Sequence, residues 1–185
     1  GSIISSRVLE TGDLMYDAFL KVPFGEKKNV AEKNHVACTS HRVANILSKK
    51  KLSAIIEALN AIHKEIPVVM PLHPHTQKRI GEYALQPAFT ILPPLGYPEM
   101  KTLLSQASFV ITDSGGAARE AFFCGKRSVV VMDKPFWPEI INASCSISSV
   151  GETDQILTAF DQLPLLVSNF QSPIFGSGNA AQIIA

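Results

Sequence analysis

Six short apolar runs, at 36–40, 67–72, 89–92, 109–113, 128–132 and 145–149, recur along the chain with longer stretches of mixed polarity between them. Each has the length of a strand and all are largely apolar, as strands buried on both faces are, so burial on both sides is expected. Between the runs the apolar residues move to helical spacing. Leu52, Ile55, Ile56, Leu59 and Ile62 mark one helix face, Met100, Leu103 and Leu104 another, and further helices are expected to begin near Gly116 and Thr153. Strands alternating with helices predict an α/β fold with a doubly wound parallel sheet, because parallel neighbours are joined only by right-handed crossovers over the sheet face. Ligands bind such sheets beyond the carboxyl ends of the strands, so the residues that follow each run are where chemistry is expected. No internal repeat or low-complexity tract breaks the pattern.

Ahead of the first run, Asp13 precedes Leu-Met-Tyr-Asp-Ala-Phe-Leu20, an N-capping aspartate followed by apolar residues at helical spacing. This reads as a hinge helix. The lysine-rich segment at 25–34 reads as a solvated loop. Residues 1–24 are therefore expected to form a hinge segment and helix, and 25–185 one domain ending in a last helix. The opening Gly1-Ser2 reads as a cloning remnant.

Charge narrows the partners. Lysine plus arginine total 17 against 16 aspartate plus glutamate, a net charge of +1, which leaves no basic field to hold nucleic acid or an anionic membrane. An anion bound here is gripped locally. Cys38, Cys124 and Cys145 are an odd set without C-x-x-C spacing, which fits a reducing, cytosolic setting. No apolar stretch reaches the roughly 18 to 20 residues of a membrane span.

The segment Phe109-Val-Ile-Thr-Asp-Ser-Gly-Gly-Ala-Ala-Arg-Glu120 runs from an apolar strand through a polar turn with two glycines into a helix. This is the layout of a phosphate cradle: Ser114 offers a hydroxyl, Gly115 and Gly116 let an anion approach the backbone, and a helix N-terminus presents free N–H groups. Glu120, on the same helix, is placed to accept ribose hydroxyls. An ordinary strand-to-helix turn, with Ser114 as N-cap and the glycines for geometry, has the same sequence. Two further loops follow strands: Cys38-Thr-Ser-His-Arg42 and Pro71-Leu-His-Pro-His75. Imidazole there serves as acid, base or neutral donor, and the Arg42 fork suits phosphate oxygens. No third ligand at a recognisable spacing supports zinc, and His35 and His63 are assigned to structure or solvent. Phe136 and Trp137, among prolines in the loop after the fifth run, form either a rigid wall beside a ligand or ordinary packing, with a short helix expected after Pro138.

In this order the landmarks resemble the UDP-N-acetylglucosamine 2-epimerase family over nearly the whole chain. Thr11-Gly-Asp-Leu-Met-Tyr-Asp17 is similar to its interdomain segment, Thr39-Ser-His-Arg42 to its H-R block, Pro71-Leu-His-Pro74 to its P-x-H-P loop and Pro94-Leu-Gly-Tyr97 to its uracil-side loop. Thr112-Asp-Ser-Gly-Gly116 with Glu120 is the strongest match. Trp137-Pro-Glu139 and Phe175-Gly-Ser-Gly-Asn-Ala-Ala181 follow, the latter similar to its closing glycine-rich turn.

The resemblance implies a Rossmann-like domain forming the C-terminal half of a two-domain GT-B-type enzyme, the N-terminal domain being absent from this sequence. It implies backbone contacts to uracil near Leu95 and Met100, diphosphate at Ser114, Gly115 and Gly116, ribose at Glu120, and His41 facing the sugar as the catalytic-block histidine. Arg42 and His73 match positions that help hold a second, activating UDP-N-acetylglucosamine in the non-hydrolysing branch. The implied reaction interconverts UDP-N-acetylhexosamines for cell-surface polysaccharide synthesis by removing the C2 proton and eliminating UDP to a glycal, with no nicotinamide or metal cofactor. The full-length protein is implied to be a homodimer.

Two departures bear on the branch: H-R-x-E-N reads His41-Arg-Val-Ala-Asn45, and the usual double glutamate reads Arg119-Glu120. A hydrolysing 2-epimerase, a diacetamido or uronic-acid UDP-sugar as substrate, a UDP-sugar glycosyltransferase and an inactive nucleotide-sugar sensor remain as alternatives.

Overall fold

The computed structural model describes residues 9–25 and 34–185; the opening residues and most of the 25–34 segment lie outside them. All six strands are present: β1 (Val36–Thr39), β2 (Val68–Pro71), β3 (Thr90–Leu92), β4 (Phe109–Thr112), β5 (Ser128–Val131) and β6 (Ser146–Ser149). They form one parallel sheet in the order β3-β2-β1-β4-β5-β6. The described helices are α1 (Leu14–Lys21), α2 (Val43–Ile46), α3 (Lys49–His63), α4 (Pro74–Glu82), α5 (Tyr97–Gln106), α6 (Gly115–Phe123), α7 (Pro138–Asn142), α8 (Thr153–Gln162) and α9 (Ala180–Ile184).

Alternation along each central strand sends successive side chains to opposite faces. Val36 and Cys38 of β1, Val68 and Met70 of β2, Ile111 of β4 and Val129 and Val131 of β5 join Leu52, Ile55 and Leu59 of α3 and Ile156 of α8 in one core layer. Ala37, Val69 and Val110 point the other way, to Leu103 and Leu104 of α5 and Ala121 of α6. Burial on both faces explains why these strands read as unbroken apolar runs. The expectation fails at the edge: in β3 Thr90 and Ile91 are exposed, and β6 is only partly covered. An edge strand has one neighbour and fewer helices over it, and so keeps water on part of its surface.

The described chain divides into two compact units, Phe24–Phe170 and a smaller one that runs to Pro23 and resumes over Gln171–Ala185. In the smaller unit Asp13 caps α1 by accepting from the Met15 amide at 2.7 Å. Buried Asp17 accepts from the Ala180 and Ala181 amides at 3.1 and 2.8 Å, capping α9 from the far end of the sequence. Gly12 (φ +85°) and Gly176 (φ +79°) lie back to back. A Cβ on Gly176 would meet the Gly12 Cα at 2.9 Å, so the two glycine motifs at the ends of the chain fit only each other.

Candidate functional site

The sheet order reverses between β1 and β4, which sends their following loops to opposite sides and opens a crevice at their carboxyl ends. A cavity of about 310 Å³ lies there, lined by His41, His73, Leu95, Met100, Ser114, Gly116 and Glu120 together with Thr39, Ser40, Pro71, Pro94 and Ala117. Seven of the nine residues singled out in the sequence thus share one cavity. Gly115 and Arg42 do not line it.

The floor is fixed by a residue whose role the sequence did not disclose. Asp113, just past β4 and 1% exposed, accepts from the Ser40 hydroxyl at 2.9 Å, the His41 and Arg42 amides at 3.0 Å each and the Asn45 Nδ2 at 3.1 Å. One carboxylate therefore ties the whole β1–α2 loop to the end of β4. The His41 Nδ1 stands 3.9 Å from Asp113 Oδ1, so the same acid faces the imidazole. Thr39 and Thr112, register partners on β1 and β4, join their hydroxyls at 2.6 Å below it. The Thr76 hydroxyl of α4 donates to the Ser40 carbonyl at 2.7 Å and pulls α4 onto this loop.

The two histidine loops converge. The His41 and His73 rings are 6.0 Å apart. His73 is the N-cap of α4, a helix the apolar pattern did not announce because its residues are largely polar. Its Nδ1 accepts from the His75 amide at 3.2 Å, which leaves Nε2 as the nitrogen that carries the proton in the neutral ring. His63 accepts from the Val68 amide at 3.0 Å and His35 is buried, matching their structural assignment.

At the β4–α6 turn Ser114 is the N-cap of the helix, and donors beside it are left over. The Ser114 hydroxyl accepts from the Ala117 amide at 3.3 Å as an N-cap, and the Ser114 amide is taken by the Thr112 hydroxyl at 2.9 Å. The Ser114 O–H still has its proton to donate. The amides of Gly115 and Gly116 find no acceptor among the described residues and sit at the positive end of α6, which leaves them able to donate to an anion. On its other side Gly115 lies close to the aromatic loop: a Cβ there would meet the Phe136 ring at 2.7 Å and displace it. Arg42 and Arg119 grip this aromatic pair, their guanidinium carbons 4.6 Å from the Phe136 ring centre and 4.4 Å from that of Trp137. The Phe136-Trp137 segment is thus a wall clamped by cations. Ala44, at the H-R-x-E-N glutamate position, is exposed on α2.

Glu120 is the buried acid of the cavity, 6% exposed. Burial pushes its carboxyl up to about 7, against the opposing pull of the Arg119 guanidinium, the Tyr97 hydroxyl and the Lys101 ammonium. Burial and then the Glu120 charge raise the nearby Cys124 thiol to about 12, which leaves it unreactive at neutral pH.

The sequence model of the UDP-N-acetylglucosamine 2-epimerase family matches residues 2–185. The chain belongs to this family. A UDP-2,3-diacetamido-2,3-dideoxy-D-glucuronate 2-epimerase of Pseudomonas aeruginosa is 31% identical over 188 residues, covering 98% of this chain and 52% of its own length. A UDP-N-acetylglucosamine 2-epimerase of Methanococcus maripaludis is 26% identical over 205 residues, covering 98% and 54%. The solved UDP-GlcNAc 2-epimerase of Methanocaldococcus jannaschii, in complex with UDP-GlcNAc and UDP, matches with a TM-score of 0.87 at 24% identity, again covering 98% and 54%. An Escherichia coli heptosyltransferase matches more distantly, at a TM-score of 0.50 over 75% of this chain and 45% of its own. These likenesses fix the epimerase-family fold as a Rossmann-like domain of GT-B type. The chain spans about half the length of the curated epimerases it matches.

Proposed function

We propose that this chain is the UDP-binding half of a UDP-N-acetylhexosamine 2-epimerase. The observation that carries the reading is the cavity at the switch point, which Leu95, Met100, Ser114, Gly116, Glu120 and His41 line together. Uracil lies against Leu95 and Met100, the ribose hydroxyls donate to Glu120, and the diphosphate accepts from Ser114 and the amides of Gly115 and Gly116. The sugar then faces His41, and Arg42 and His73 help hold a second UDP-sugar. In the reaction a base takes the C2 proton, the bond from C1 to the diphosphate oxygen breaks, and UDP leaves with the electron pair as a glycal forms. UDP and a proton then add back with the opposite configuration at C2. In this reading the chain stabilises the departing charge through the amides at the N-terminus of α6. The acids and bases on the other face of the sugar belong to a second domain, as the twofold length of the relatives supports.

The test is C2 proton exchange in deuterated water, followed by NMR alongside UDP release. The chain alone leaves C2 unexchanged, and the same chain joined to the remaining half exchanges it. Exchange by the chain alone at the rate of the joined protein would overturn this division of labour.

A second reading has an observation behind it: the relative named for a diacetamido glucuronate is 31% identical, above the 26% of the M. maripaludis UDP-N-acetylglucosamine enzyme. Running the exchange assay on both UDP-sugars separates the substrates.

The ribose assignment is tested by Glu120→Ala, which weakens UDP by about 1–3 kcal/mol and leaves inorganic pyrophosphate nearly unaffected by calorimetry. Equal losses for both ligands would reduce Glu120 to a support for the loop.

A further inference from the structure

The carboxylate that ties down the His41 loop has acceptor capacity to spare. Asp113 takes the Ser40 hydroxyl, the Arg42 amide and the Asn45 Nδ2 on Oδ2, at 2.9, 3.0 and 3.1 Å. The His41 amide lies between its two oxygens, 3.0 Å from Oδ1 and 3.1 Å from Oδ2. That amide is the one hydrogen-bond donor to Oδ1 among the described residues, although a carboxylate oxygen can accept two. Facing the same oxygen, at 3.9 Å, is the His41 Nδ1. The separation is too long for a hydrogen bond and short enough for the charge to select what faces it. Asp113 is fully buried and held by four donors, so it is the fixed member of the pair; the half-exposed imidazole is the one with room to turn.

In a neutral imidazole one nitrogen carries the proton and the other a lone pair. A lone pair on Nδ1 would be repelled by the negative oxygen it faces, whereas an N–H there is attracted. We propose that Asp113 is a positioning residue for His41, fixing the proton of the neutral ring on Nδ1 and turning the Nε2 lone pair to the cavity. The two ring nitrogens look away from each other, and His41 lines the cavity while Asp113 does not. Nε2 is therefore the nitrogen that works: a proton moves between it and the bound UDP-sugar, and the imidazolium so formed keeps an N–H on both nitrogens, its charge opposed by Asp113. The Nδ1 contact closes to a hydrogen bond when substrate turns the ring, as catalytic contacts tighten on binding. His73, its ring 6.0 Å away, carries the opposite tautomer, since its Nδ1 accepts from the His75 amide. The cavity thus holds one imidazole that accepts and one that donates.

This role rests on the reading of His41 as the group that faces the sugar, and two measurements keep the two apart. The first takes the chain alone, labelled with heavy nitrogen, and reads two-bond proton–nitrogen correlations of the imidazole rings by NMR on the alkaline plateau of their signals. His41→Gln identifies the His41 set by its loss. Wild-type His41 shows a protonated Nδ1 and a bare Nε2, and His73 the reverse. In Asp113→Asn the one remaining oxygen is claimed by Ser40, Arg42 and Asn45, so the amide nitrogen takes the Oδ1 place, faces Nδ1 as a donor and moves the His41 proton to Nε2. A wild-type His41 protonated on Nε2 overturns the inference with no variant needed, and so does an Asp113→Asn protein that keeps the proton on Nδ1. The second measurement joins the chain to the remaining half and follows C2 exchange at saturating UDP-N-acetylglucosamine. Asp113→Asn and His41→Gln each slow it by about 100-fold or more, the size of a general acid–base contribution. Wild-type exchange by His41→Gln would remove His41 from the chemistry and sink that reading, whatever the tautomer. Full exchange by Asp113→Asn beside a slow His41→Gln would show that His41 works in either tautomer, and only the part given to Asp113 would fall.

Discussion

Replacing Gly116 with aspartate removes UDP binding, lowering affinity by at least about 100-fold, because like charges brought together at a binding site cost several kcal/mol. Gly116 lies in the first turn of α6, lines the cavity and offers one of the two amides with no acceptor among the described residues. The new carboxylate takes the place of the diphosphate at the positive end of the helix. The same charge stabilises α6 itself, since an acid in the first turn complements the helix dipole, so the variant folds and loss of binding cannot be put down to unfolding. Gly116 is not among the glycines with positive φ, which makes Gly116→Ala a comparator that adds bulk without charge. Calorimetry with UDP and thermal unfolding of both variants check the argument; wild-type affinity in a folded Gly116→Asp protein would place the diphosphate elsewhere.

The largest expected loss of stability comes from Asp113→Ala, at about 3–5 kcal/mol, from four donors that each lose a charge-assisted partner, partly offset where water reaches the loop. The Ser40 hydroxyl, the His41 and Arg42 amides and the Asn45 Nδ2 all lose their acceptor. Asp113→Asn costs less, because one oxygen remains to accept, but its amide group now faces donors. UDP-sugar affinity falls with stability in both variants, because the loop that carries His41 into the cavity is no longer tied to β4. Urea unfolding followed by circular dichroism reads the effect. A cost below about 1 kcal/mol would mean that the donors find other partners and that Asp113 does not organise the loop.

The parallel sheet was legible because its four central strands are buried on both faces, and all six strands appear at their expected positions to within one residue at either end. The short or polar helices were not. Within α2, only four residues long, and α4, polar along most of its length, there is too little apolar surface to reveal a helical period. The helix-starting role of His73 was therefore hidden even though the residue itself stood out. The phosphate turn was legible as a local pattern, since Ser114, Gly115 and Gly116 are neighbours in sequence. The Asp113 anchor was not, because it depends on which strand lies beside which. Only the sheet order supplies that. The stacking of Arg42 on Phe136 and of Arg119 on Trp137 was hidden for the same reason.

The placement of β1 between β2 and β4 also bears on how the protein reaches this state. Ser40 and Asp113, which join the two halves of the cavity floor, are 73 residues apart. During synthesis β1, β2 and β3 leave the ribosome first and are able to pair, but the other edge of β1 stays bare until β4 emerges. For that interval Val36–Thr39 presents an edge of unpaired backbone N–H and C=O groups in a mostly apolar segment, the kind of surface on which nascent chains associate. Closing so long a loop makes the β1–β4 pairing a slow step. The ligand cavity, built across that one seam, is accordingly among the last features of the domain to form.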